Sequence, residues 1–100
     1  MLKALICEAI KNKRLLQFQY DNLTRVVEPH LLGRKTSGND TLSAYLVRGY
    51  TESDKKPYWR TYLLSEIKNL VVLDEVFAGP RKGYNPYDKT MEHIYCRLER

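Results

Sequence analysis

Short apolar and polar alternations recur along this chain, and no helix-length segment separates them. "LLQFQY" at 15–20 sets Leu16, Phe18 and Tyr20 against Gln17 and Gln19, and "TLSAYLVRGY" at 41–50 sets Leu42, Ala44 and Leu46 against Ser43, Tyr45 and Val47. A period of two is the mark of a half-buried strand. Parallel strands need crossovers of a dozen or more residues, so strands this close together must pair antiparallel. "DN" at 21–22 is turn chemistry, and it makes residues 15–32 a hairpin with "LTRVVEPHLL" as its second strand. Pro29 lacks an N–H for the ladder and marks an edge or a bulge. A polar loop at 33–40 precedes the third strand, and "TESDKKP" at 51–57 forms a second loop. "YWRTYLL" is a fourth strand, with Tyr58, Arg60 and Tyr62 on one face and Trp59, Thr61 and Leu63 on the other. Trp59 reads as a core anchor. "SEI" is a short turn, and "KNLVVLDEVF" is a fifth strand.

Two segments depart from this pattern. Residues 2–12 carry Leu2, Leu5, Ile6, Ala9 and Ile10 as one stripe at helical spacing, followed by Lys11, Lys13 and Arg14. An amphipathic helix packed on the sheet is expected there. "AGPRKGYNPYDK" at 78–89 is rich in Gly, Pro and Tyr and reads as a loop or an ordered arm. Beyond it, Met91, Ile94, Tyr95 and Leu98 fit a helix, while Ile94, Cys96 and Leu98 fit a strand, so periodicity leaves 90–98 open. The expected fold is mainly β with a helix (α+β): a small bent barrel of about five antiparallel strands with an N-terminal helix. Its domain spans 1–77, and 78–100 form an arm with a short terminal element.

A chain of 100 residues buries one modest core and offers no cleft between two domains. Seventeen Lys and Arg stand against twelve Asp and Glu, a net charge of +5 that favours anionic partners. Eight tyrosines suit strand packing and also base stacking. No signal h-region and no membrane-length apolar run is visible. Cys7 and Cys96 are therefore expected as reduced thiols of a cytoplasmic protein.

The order of these signals resembles the WYL-domain superfamily. The resemblance covers roughly 4–77 and rests on the opening helix, "FQY", "TRVVEPHLL", the apolar third strand and "WRTYLLSEIKNLVVLDEVF". The tail "GPRKGYNPYDKTM" is similar to that of small stand-alone members. The resemblance implies an Sm-like or SH3-like barrel acting as a regulatory module. Such modules sit in bacterial transcription factors and in phage-defence or CRISPR-associated proteins, where they sense a ligand, often a nucleic acid or nucleotide, and sometimes mediate dimerisation. The chain departs from the pattern in three ways. Asp40-Thr41-Leu42 or Ala44-Tyr45-Leu46 stands where the family has Trp-Tyr-Leu, Leu63 and Glu66 replace two arginines of the ligand pocket, and no helix-turn-helix is attached.

Arg60 between Tyr58 and Tyr62 is the leading candidate for an anion or base platform, because guanidinium grips phosphate and the rings stack. Its structural alternative is cross-strand packing. Arg25 and His30 are expected to flank it. Arg48 is a further candidate, disfavoured against Arg25 because strand parity sets it apart from Tyr45. Glu28 is expected to pair with a nearby Arg or Lys. His93-x-x-Cys96 with Cys7 and His30 lacks the paired spacing of a zinc site, so no metal and no cofactor is expected. Lys13-Arg14, Arg34-Lys35, Lys55-Lys56 and Arg81-Lys82 fall at loops or element ends and form either solvated turns or a basic collar. No catalytic motif is present. The functional expectation is a non-enzymatic module that binds single-stranded nucleic acid or a nucleotide-like anion. A protein-interaction or homodimerisation module is the alternative, and no membrane partner is expected.

Overall fold

The computed structural model describes residues 1–49 and 58–99. The second loop, expected at 51–57 and including Lys55-Lys56, lies outside the described residues. The elements run α1 (Leu2–Asn12), β1 (Arg14–Tyr20), β2 (Leu23–Lys35), β3 (Asp40–Arg48), β4 (Trp59–Leu63), a 3-10 turn (Leu64–Glu66), β5 (Lys68–Val76) and β6 (Met91–Arg97). All strand pairs are antiparallel. The sheet follows the order β4-β3-β2-β1-β5, and β6 also pairs with β2. Residues 90–98, ambiguous by periodicity, thus hold a strand, and the sheet has six strands where about five were expected.

Each junction has a local cause. α1 ends where Lys13 turns left-handed at φ 55° and its N–H bonds back to the last turn. The β1–β2 hairpin closes through Asp21 and Asn22, both at positive φ (52° and 65°). That geometry matches the twist of paired strands, and Asp and Asn tolerate it best among residues with a Cβ.

β2 organises the molecule. Along one edge it pairs with β3, and along the other it pairs with β1 over its first residues and with β6 over its last. The register shifts between Pro29 and Leu31, as the proline suggested. Pro29 stands opposite Ala44 of β3 at this irregularity, the kind of position that tolerates a residue without an N–H. At Gly33, β6 comes so close that a Cβ would sit 2.6 Å from the His93 carbonyl oxygen. Residues 25–33 are all buried, so both faces of β2 are covered and its alternation disappears.

The core joins Ile6, Ala9 and Ile10 of α1 to Leu16, Phe18, Val27, Leu32, Leu42 and Leu46 of the sheet. The sheet curls enough to bring Tyr62 of β4 edge-on to Phe18 and Tyr20 of β1, with ring centroids 5.0 and 4.9 Å apart. The Leu63 N–H donates to the Tyr20 hydroxyl at 3.1 Å across the same gap.

The cysteine expectation is corrected. Cys7 of α1 and Cys96 of β6 form a disulfide. They are 89 residues apart in sequence, and only the packing of α1 against β6 brings them together. The thiol argument for a cytoplasmic location falls with it. No helix among the described residues is long and apolar enough to cross a membrane.

Candidate functional site

The gap beside β2 between β1 and β6 is filled by side chains, and these build a polar centre. Glu28, 5% exposed, accepts two hydrogen bonds from Arg81, at 2.7 Å from Nε and 2.9 Å from Nη2. The neighbouring His30 ring packs edge-on to Trp59 and Tyr84 and stacks on Phe77. Its Nδ1 lies 2.8 Å from the Glu28 carbonyl oxygen, and its Nε2 lies 3.1 Å from the Arg81 backbone nitrogen. A carbonyl only accepts and an amide N–H only donates, so the ring is neutral with its proton on Nδ1. The Tyr84 hydroxyl meets the carbonyl oxygens of His30 and Leu98, and the Trp59 indole N–H donates to the Lys82 carbonyl. The segment after β5 is therefore clamped onto β2, with Arg81 as its bolt.

Burial is the main cause that holds the His30 pKa below its ordinary value. The hydrogen-bond pattern acts in the same direction, because a proton on Nε2 would face the Arg81 N–H. In an unfolded chain the imidazole titrates near ~6.5. Below that pH the unfolded state binds the extra proton and the folded state resists it, so stability falls as pH drops from about 6.5 toward the lowered folded pKa. His30→Gln should flatten this acid-side loss, read as unfolding midpoint against pH. An unchanged slope would assign the loss to other groups.

Beside the clamp lies an open cleft of about 710 Å³ bordered by β3, the end of β5 and residues 77–81. Phe77 and Val47 supply apolar wall, and Arg48 and Arg81 supply cations. Arg48 is held by Glu75 through two bonds, at 3.1 and 2.6 Å, and both side chains of this pair are 53% exposed. The pair raises the Arg48 pKa and lowers that of Glu75, with the mutual hydrogen bond as the main cause. The Arg81 guanidinium also lies over the Tyr45 ring, 4.5 Å from its centroid, and the Tyr58 ring lies 5.8 Å from that of Tyr45.

The six residues singled out from sequence separate into three groups. Tyr62 is 2% exposed and belongs to the core, so it offers no stacking face. His30 is enclosed, with both ring nitrogens engaged inside the protein. Arg25, 6% exposed, shares the buried face of the hairpin with its cross-strand partner Phe18. Tyr58 and Arg60 are half-buried. Arg48, disfavoured on parity, is the candidate that reaches an open cleft. A register shift where β3 faces Val26 and Val27 breaks the parity that argued against it. Trp59, expected as a core anchor, is half-buried and pins the segment after β5.

Sequence reasoning missed the role of Arg81. Its signal was present as the expectation that Glu28 pairs with some Arg or Lys, but nothing local selected a partner 53 residues away. Two arginines of the basic pairs, and Lys3 on α1, form exposed ion pairs. Arg14 pairs with Asp74, Arg34 with Glu92, and Lys3 with Asp40. Among the described residues no group of three or more His, Cys, Asp or Glu is placed to hold a metal. Compared with protein-family models, with curated proteins and with solved structures, the chain matches none.

Proposed function

We propose that the protein is a ligand-binding module of WYL type whose cleft takes the phosphate of a single-stranded nucleic acid or nucleotide. The observation that carries this reading is the pairing of Arg48 and Arg81 on one open cleft with an apolar wall. Exposed ion pairs contribute little to stability, so a phosphate displaces Glu75 from Arg48 at small cost. Guanidinium matches phosphate bidentately, as it matches carboxylate. Arg81 commits Nε and Nη2 to Glu28, which leaves Nη1 for a further acceptor. Tyr45 under Arg81 and Tyr58 beside Tyr45 are partly exposed rings for a base. The strand order and the 3-10 turn between β4 and β5 support an Sm-like or SH3-like barrel as the frame. The binding role is regulatory and non-enzymatic in this reading, in keeping with a His30 whose two ring nitrogens are both engaged within the protein.

Arg48→Ala should weaken the affinity for a nucleoside monophosphate about tenfold, the low end for a charge-assisted bidentate contact. Titration calorimetry on both proteins measures this. Equal affinities would remove the cleft from the reading.

One observation favours homodimerisation as a second reading. β5 ends the sheet path with Val71 and Val76 exposed, and it carries Lys68 at one end and Asp74 and Glu75 at the other. Two copies paired antiparallel along β5 set the base of each against the acids of the other. Sedimentation should then show a dimer that Lys68→Glu dissociates, and a concentration-independent monomer would end this reading.

A further inference from the structure

The disulfide does not lie in the closed core. Cys7 and Cys96 are both half-buried, and both line a second cleft of about 370 Å³ bordered by the C-terminal half of α1 and the end of β6. The charged residues bordering that cleft are Lys11, Lys13, Arg97 and Glu99; the Arg97 guanidinium turns to the Pro86 carbonyl and the Tyr87 ring, so Lys11 and Lys13 are the cations beside the disulfide. Lys11 stands four residues after Cys7 on α1, which places it one turn along the same helix face. Lys13 follows in the left-handed cap. A disulfide with solvent access and cationic neighbours meets the two requirements of thiol exchange. The attacking thiolate reaches a sulfur, and the departing sulfur is stabilised as an anion.

We propose that Cys7–Cys96 is an exchange site for an anionic low-molecular-weight thiol. The thiolate of the incoming molecule attacks the Sγ of Cys96. A bond forms between those two sulfurs, the Cys7–Cys96 bond breaks, and its electron pair leaves on Cys7 as a thiolate. No net oxidant is consumed, because the incoming thiol is oxidised to the mixed disulfide as Cys7 is reduced. Cys7 is the leaving group because Lys11 shares its helix face and lowers the cost of its negative charge. The carboxylates of the incoming molecule then lie against Lys13. The product is a Cys96 mixed disulfide and an α1 freed from its covalent tie to β6.

The test uses the full chain with glutathione, 2-mercaptoethanol and cysteamine, which are anionic, neutral and cationic respectively. Rates are corrected for thiolate fraction and compared with those of a short disulfide peptide with neutral neighbours. Alkylation traps the product, peptide mapping locates it, and Trp59 fluorescence reports that the fold persists. At low salt the protein should favour glutathione over 2-mercaptoethanol about fivefold more than the peptide does, and the preference should shrink with added salt. Lys11→Gln with Lys13→Gln should reduce it to about that of the peptide, with glutathione on Cys96 and the alkyl group on Cys7. Rates indifferent to thiol charge, modification on Cys7, or exchange only after loss of the native fluorescence would each overturn the proposal.

Discussion

Replacing both cysteines by serine should lower the folding free energy by about 4–5 kcal/mol, the largest single effect expected in this chain. The magnitude follows from the ring that the bond closes. A sequence separation of 89 means that nearly the whole unfolded chain is cross-linked at its two ends. Most of the gain therefore comes from states denied to the unfolded ensemble. For a domain of this size the melting temperature should fall by about 15–25 °C. Thermal unfolding of the variant and of wild type, with and without reductant, measures it. The reduced wild type should melt near the variant. A fall of only a few degrees would mean that Ile6, Ala9 and Ile10 hold α1 in place alone and that the unfolded chain gains little from release.

Arg81→Ala ranks second, at about 2–3 kcal/mol after allowance for the 45% exposure of the arginine side chain. The cost comes from what remains. Glu28 keeps its buried position, its side chain 7% exposed, and loses both hydrogen bonds that satisfy its oxygens. Glu28→Gln is the converse change and should cost less, because it leaves the arginine with access to water and an amide without charge. The double variant Arg81→Ala with Glu28→Gln should be more stable than Arg81→Ala alone, since it removes the stranded charge. Denaturant midpoints of the three variants decide the matter. A double variant less stable than Arg81→Ala would show that Arg81 acts through its packing on Tyr45 and not through Glu28.

The elements that follow one clear period are legible in the amino-acid sequence. α1 has its stripe, β1 and β3 have their alternation, and Asp21-Asn22 names its own turn. Pro29 marks the irregularity that the register of β2 contains. Local signals do not say which face of a strand turns inward when both faces carry amphipathic side chains. Tyr58, Arg60 and Tyr62 share a face by parity, but a tyrosine serves a core and a surface equally well, and Tyr62 turns into the core against Phe18. β2 is covered on both sides, so polar residues such as Arg25 and His30, which in sequence suggest exposed positions, are buried. The remaining features depend on distance along the chain. Glu28 meets Arg81, and Cys7 meets Cys96, only after the segment behind β5 has folded back to lay β6 on β2. Composition marks that segment as an arm, and its ring and guanidinium contacts make it part of the centre that the cleft borders.

The claim that Arg48 and Arg81 form a phosphate site is tested most directly by fluorescence anisotropy. Labelled single-stranded DNA and RNA oligomers, with a duplex control, are titrated with wild type and with Arg48→Ala at low and near-physiological salt. Saturable binding to single strands should persist at the higher salt, with about a tenfold loss in the variant. Binding that vanishes with modest salt, or is equal in wild type and variant, would reduce the net charge of +5 to generic attraction and contradict the assignment of the cleft.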